Sequence, residues 1–356
     1  MFYAKIFYMI RKRDKHLFDK KTFPFPIDLV YLWIDGSSRE FNEIKNKYLR
    51  AAGRKENRFT DAIGGSIYRD NDELKYSLRS VERNAPWINH IYIVTGFGQV
   101  PKWLDTNNPR VTIVPQESIL PPDASPIFNS CAIEASLANI PGLAEHFILA
   151  NDDMFFNAPT PPDYFFDCAG RAKFRYNYRK NGHLAGNTKS IHQFHLINAA
   201  HEIERAFGVK MYNYKASHGI DPYIKSSIVA CLANPILAQS INETRYRRFR
   251  DVTDVHRLVF NLYDVVHGRA RLIRCHGRHV GHNIILDFIY NLIHYRSIRD
   301  SGFYCVDAVE SDLAHINARV VCINDSVDNT DEIREHNWSF FESKFPDKSE
   351  FEKKDK

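Results

Sequence analysis

Three features of this 356-residue chain predict an α/β fold, with a mostly parallel, doubly wound Rossmann-like sheet and a helical second part closing the cleft. Short, nearly continuous apolar runs recur, which is the pattern of strands buried on both faces. Segments of helical period stand between them, as βαβ units require. Several runs also stop on aspartate or asparagine, at the strand ends where open α/β sheets bind ligands.

The first strand is "IDLVYLWI" (27–34), stopped by the turn residues Asp35 and Gly36. In "NDELKYSLRSVERN", Leu74, Leu78 and Val81 fall at i, i+4 and i+7 of a helix that Asn71 or Asp72 can cap. Strands "HIYIVTG" and "RVTIV" follow, then a helix "SCAIEASLANI" and a strand "HFILA". Further helices are expected at 221–233, at 253–267, where Val255, Leu258, Val259, Leu262, Val265 and Val266 form a stripe, and at 281–299. "RVVCIND" reads as another strand, and a last amphipathic helix begins at an Asn329 cap with Glu332 three residues on.

Composition narrows the class without choosing a function. With 26% charged and 44% hydrophobic residues the chain is an ordinary globular protein, and a net charge of +5 permits an anionic partner without demanding one. No RNA-binding motif is present, so no nucleic acid is expected as partner. The six cysteines are dispersed singly, with no C-x-x-C pair, which favours a reducing compartment. No apolar run reaches the ~18 residues of a membrane span. The opening "MFYAKIFYMIRKR" carries its charge after its apolar part, the reverse of a secretory signal. Its aromatic and basic residues leave room for peripheral contact with a membrane surface.

The chemistry-bearing positions cluster at strand ends. "FILANDDMFF" ends an apolar run on Asn151, Asp152 and Asp153; Asp35 ends another, and Asn324 and Asp325 end a third. Carboxylates gathered at one rim suit a cation or a cation-bound phosphate, with oxygen ligands of the kind Mg²⁺ takes. From Cys168 the chain carries six Lys or Arg and no acid before Glu202, the composition of a solvated loop or a phosphate-binding lid.

On these motifs the sequence resembles the Stealth proteins, which include bacterial capsule polymerases and the GlcNAc-1-phosphotransferase that tags lysosomal enzymes. "IDLVYLWIDGSSREF" resembles the first characteristic region of that family. "DNDELKYSLRSVERNAPWINHIYIVTGFGQVPKWLDTNNPRVTIVPQESIL" through "FILANDDMFF" resembles the second, "SHGIDPYIKS" through "RRFRDVTDV" the third, and "VVCINDSVDN" through "FFESKFPDKSEFE" the fourth. The resemblance implies a metal-dependent enzyme using Mg²⁺ or Mn²⁺. It would transfer hexose-1-phosphate, for example GlcNAc-1-phosphate, from a UDP-sugar donor to a hydroxyl of a glycan acceptor. The product would be a phosphodiester with release of UMP, in capsule or exopolysaccharide synthesis, in the cytoplasm or at the inner face of the bacterial plasma membrane. Two alternatives stand beside it: a conventional glycosyltransferase releasing UDP, and a non-enzymatic phosphoglycan- or nucleic-acid-binding protein.

Roles follow residue by residue. His218 in "SHGID" matches the family's third-region histidine and suits a base that takes a proton from a sugar hydroxyl. Arg250 matches the third-region arginine and suits a transferred phosphoryl group, while Arg245, Arg247 and Arg248 nearby read equally as a solvated helix entry. Asp152 and Asp153, with Asn324 and Asp325, are the expected metal ligands, and Asp152 and Asp153 also count as catalytic. Trp33, Asp35 and Gly36 look like the floor of the nucleotide site; Asn71, Glu73, Arg79, Glu134 and Asn151 join them as substrate-binding candidates, Arg79 foremost for phosphate. The organisation expected is an N-terminal segment (1–25), a nucleotide-sugar-binding α/β part (26–168), a basic loop or lid (169–200), a mainly helical part (201–317) and a strand and helix returning to the core (318–356).

Overall fold

The computed structural model describes residues 23–53, 70–178, 190–217, 219–274, 278–279, 299–305, 318–324 and 331–354. Its strands are β1 (Ile27–Trp33), β2 (Ile91–Thr95), β3 (Val111–Pro115), β4 (His146–Asn151), β5 (Met154–Phe156), β6 (Ala172–Tyr178), β7 (Tyr214–Ala216), β8 (Asp221–Ile224), β9 (Ala270–Arg274), β10 (Arg278–His279), β11 (Arg299–Cys305) and β12 (Ala318–Asn324). The helices are α1 (Arg39–Ala51), α2 (Glu73–Asn84), α3 (Ser130–Glu134), α4 (Ile191–Phe207), α5 (Lys225–Ala233), α6 (Pro235–Tyr246), α7 (Leu258–Val266) and α8 (Asp331–Lys344).

The central sheet has the order β3-β2-β1-β4-β8. Its first four strands are parallel, and β8 closes the edge antiparallel to β4. The chain winds outward from β1 to β2 and β3, then crosses back to the other side of β1 as β4. The order reverses between β1 and β4, so the crevice at their carboxyl ends is the switch point where such sheets receive ligands.

Alternation along β1 and β4 covers both faces. Val30, Phe147 and Leu149 enter one core with Leu196 of α4 and Leu258 and Leu262 of α7. Leu29, Tyr31, Ile148 and Ala150 enter the other with Leu74, Leu78 and Val81 of α2. That is the sheet wound on both faces which the apolar runs foretold. A second sheet, β10-β11-β12-β5, begins where β5 leaves β4 after a two-residue turn, and a third, β7-β6-β9, flanks the main one.

Several local expectations change. Residues 221–224, expected as the start of a helix, pair with β4 as β8, and the helix begins only at Lys225. A β-bonded partner outweighs the local helical pattern there. The stripe at 253–267 is helical only from Leu258. Part of the expected basic loop, residues 172–178, is β6, in which Phe174 and Arg175 are both buried. Residues 179–189, most of the helix expected at 281–299, the Asn329 cap and nearly all of the N-terminal segment lie outside the described residues. No helix among the described residues is long and apolar enough to cross a membrane.

Candidate active site

The turn between β4 and β5 is the centre. Asn151 is the last residue of β4, and Asp152 and Asp153 make the turn itself, with Asp153 N donating to Asp152 Oδ1 at 3.1 Å. Asp153 is held from the second sheet: its carbonyl accepts from Ile323 N at 2.9 Å, and its Oδ2 accepts from Cys322 Sγ at 3.2 Å. Its other oxygen, Oδ1, is sealed from solvent without a hydrogen-bond partner. Asn324 follows directly as the last residue of β12, so that strand also delivers its end to the turn. The Asn324 side chain, Asp325 and His218 lie outside the described residues.

A second wall of carboxylates comes from the start of α2. Glu73 is buried and accepts from Asn71, from the backbone N to Oε2 and from Nδ2 to Oε1, both at 2.6 Å. Asp70, absent from the sequence-level candidates, stands beside Trp33 at the end of β1, whose side chain counters part of the effect of burial on its carboxyl. Burial is the first cause that pushes Asp70 up to about 6, with Asp72 and Asp35 adding to it. Burial likewise raises Glu73 to about 7. Asp152 is driven well above the ordinary carboxylate range by burial, then by Asp153, Glu73 and Asp70. Four carboxylates thus crowd one spot with too little positive charge to balance them. Such a deficit is met by a proton or a cation.

The positive charge stands on the opposite wall. Arg257 precedes α7 and donates from Nη1 to Glu134 Oε1 of α3 at 2.7 Å, with both side chains buried. Burial opposes its charge, yet Glu134, Tyr223 and Asp221 keep the guanidinium above the usual arginine range. Its field reaches Asp153, whose carboxyl burial raises and Arg257 lowers. Asp221, first residue of β8, lies beside Leu149 in the ladder and is pushed up to about 6, first by burial, against the pull of Arg257 and Arg175. Glu134 Oε2 and Arg257 Nε, like Asp153 Oδ1, are buried without partners. Arg250 stands beside the same short helix and donates from Nη2 to Ser130 Oγ at 2.8 Å.

The nucleotide-floor candidates sit at the carboxyl end of β1. Trp33 is buried; Asp35 folds into a turn in which Ser37 N donates to its Oδ1 at 2.9 Å, and Gly36 O accepts from Asn42 Nδ2 at 2.6 Å. Among the described candidates, Arg79 is the one whose donors are engaged by the C-terminal segment. Its Nε and Nη2 donate to Glu352 at 2.8 and 2.9 Å, and its Nη1 donates to Phe345 O at 2.8 Å, so its donors are taken up by the C-terminal segment rather than by a phosphate. Among the described residues, no group of three or more His, Cys, Asp or Glu side chains is arranged to hold a metal ion. Sequence reasoning missed Asp70, Asp221 and Arg257. Asp221 lay inside the quoted "SHGID", but Arg257 in "DVHRLVF" carried no signal beyond its charge.

Residues 67–174 match Stealth protein CR2, conserved region 2, and residues 313–356 match Stealth protein CR4, conserved region 4. The exopolysaccharide phosphotransferase cps2G of Lactiplantibacillus plantarum is 29% identical over 359 residues, covering 93% of this chain and 97% of that protein. The capsular polysaccharide phosphotransferase SacB of Neisseria meningitidis serogroup A is 33% identical over 251 residues, covering 69% of this chain and 44% of that one. The chain therefore spans nearly all of the first relative and under half of the second. Among solved structures, the galactosyltransferase LgtC, in complex with donor and acceptor sugar analogs, aligns over 89% of this chain and 96% of its own at 9% identity, with a TM-score of 0.41.

Proposed function

Because the chain belongs to the Stealth protein family, we propose that it is a polysaccharide phosphotransferase that moves hexose-1-phosphate from a UDP-sugar to a glycan hydroxyl, in capsule or exopolysaccharide synthesis. One observation carries the chemical part: Asp153 Oδ1, buried and unpartnered, lies among crowded carboxylates within the field of a buried arginine, at the switch point of a parallel sheet. Phosphoryl transfer asks mainly for positioning and charge neutralisation.

In this reading the acceptor oxygen forms a bond to the phosphorus next to the sugar. The bond from that phosphorus to the bridging diphosphate oxygen breaks, and UMP leaves with that electron pair. His218 takes the acceptor proton, and Arg250 faces charge on the transferred group. Asp152 and Asp153, with Asn324 and Asp325, are the oxygen donors that would hold Mg²⁺ or Mn²⁺. When bound, that ion offsets charge on the diphosphate. Trp33, Asp35 and Gly36 line the nucleotide side, and Asn71 and Glu73 brace the carboxylate wall. We place the reaction at the cytoplasmic side of the membrane.

The test is to incubate the purified protein with Mg²⁺ or Mn²⁺, a panel of UDP-sugars and glycan acceptors, and separate the released nucleotides. UMP with a phosphodiester product, lost in Asp152→Ala, is the expected result. UDP would instead make the enzyme a conventional glycosyltransferase and overturn the proposal.

A further inference from the structure

We infer that Phe97 is the platform on which the nucleobase of the donor stacks, an assignment that rests on the nucleotide-sugar reading above and gives that site its base-binding end. Phe97 lies two residues beyond β2, on the same carboxyl rim as Asp35. Its φ is +58°, the left-handed region that bulky side chains avoid unless their surroundings impose it.

Here they do. A Cβ on Gly96 would come within 2.8 Å of the Gln116 side chain, so the backbone before Phe97 is pressed against β3's end. Gly98 is left-handed too, at +68°. Next comes Gln99, whose side chain grips the main chain of Asp35 at both ends: Asp35 N donates to Oε1 at 2.7 Å and Nε2 donates to Asp35 O at 3.0 Å. The loops after β1 and β2 are thereby locked together, with the Phe97 ring held at their junction.

That ring ends an aromatic column. Phe249 stacks on Phe128 at 5.1 Å and 9°, and Phe128 stacks on Phe97 at 5.2 Å and 20°. Phe41 braces both from the side, meeting Phe97 edge-on at 5.2 Å and 77°. Phe41, Phe128 and Phe249 are buried, whereas Phe97 is only partly so. A rigid stack that surfaces at one ring, beside the turn that follows β1, offers a flat apolar face to a flat ligand. Every nucleobase has such a face, so the column supplies affinity for a base while hydrogen bonds elsewhere choose which one.

Calorimetric titration with UMP and with ribose 5-phosphate tests the assignment, using wild type, Phe97→Asn and Phe97→Tyr. Asparagine removes the ring while tolerating the left-handed backbone. Phe97→Asn should weaken UMP binding about tenfold or more and leave ribose 5-phosphate unchanged, and Phe97→Tyr should keep UMP affinity. Undiminished UMP binding by Phe97→Asn, or an equal loss for both probes, overturns the stacking role while leaving the donor reading intact. Failure of wild type to bind UMP at all overturns the donor reading, and the stack with it.

Discussion

Two buried arginine–glutamate pairs, alike in burial, differ in how fully their polar atoms are partnered. Arg79 and Glu352 have side chains 6% and 5% exposed; Arg257 and Glu134 have side chains 8% and 6% exposed. The first pair is complete. Arg79 makes a two-pronged contact with Glu352, and Glu352 Oε1 also accepts from Ser349 N at 2.8 Å and Ser349 Oγ at 3.1 Å. Burial alone would raise the Glu352 carboxyl, but Arg79 and Ser349 hold it below its usual range. The second pair meets through a single 2.7 Å bond and leaves Glu134 Oε2 and Arg257 Nε without partners, near an Asp153 oxygen in the same condition. A satisfied buried network fixes the C-terminal segment onto α2. An incomplete one leaves buried donors and acceptors unpaired, the condition that the proposed site would use.

The contrast can be broken most forcefully at the complete pair. Arg79→Ala strands Glu352 in the interior and should cost about 3–5 kcal/mol of unfolding free energy, read from the midpoint of urea denaturation. Turnover of the fraction still folded should stay near wild type. A variant of normal stability with lost activity would return Arg79 to the candidate site and make the two pairs alike.

At the incomplete pair the expected effects reverse. Glu134→Gln keeps a hydrogen-bond acceptor for Arg257 yet removes the charge, so the melting temperature should hold within a few degrees. Nucleotide release should fall on the order of 100-fold, the scale of losing one charged contact to a transition state. Strong destabilisation with turnover preserved would make this pair structural as well.

The smallest effect is on pH dependence. Asp70 and Asp221 at about 6 and Glu73 at about 7 all lie above their ordinary values in the folded chain. Between about pH 4 and 7 the folded state therefore holds more protons than the unfolded one, and stability declines as pH rises through that window. Melting without divalent cations should accordingly begin at a lower temperature at pH 7.5 than at pH 5. Asp70→Asn should flatten the slope, and an opposite slope in wild type would contradict the crowding of charge at the turn.

Much of this was legible in the residues. Apolar runs of strand length, alternating with helical periods, specify a parallel sheet because only strands buried on both faces can be apolar throughout. The turn at Asp152 and Asp153 could be read as either a turn facing water or a place where a cation or phosphate offsets the charge, because buried carboxylates are costly to leave unpaired. Residues 221–224 misled because their neighbours are helical; their partner strand is more than 70 positions away. Arg79 misled for the same reason: its carboxylate lies 273 residues further along the chain.

By itself, then, the sequence determined the layered α/β class, the strand-end aspartates and the family motifs, since all of these depend on short-range periodicity and residue type. Only the tertiary structure decided which arginine finds a complete set of partners and which keeps a buried nitrogen without one, and that Asp70 lies near Asp152 and Asp221 near Arg257. Those facts depend on which distant groups meet in the folded chain. A guanidinium has the same chemistry at Arg79 and at Arg257, and only the partners that the fold brings to it set the two apart.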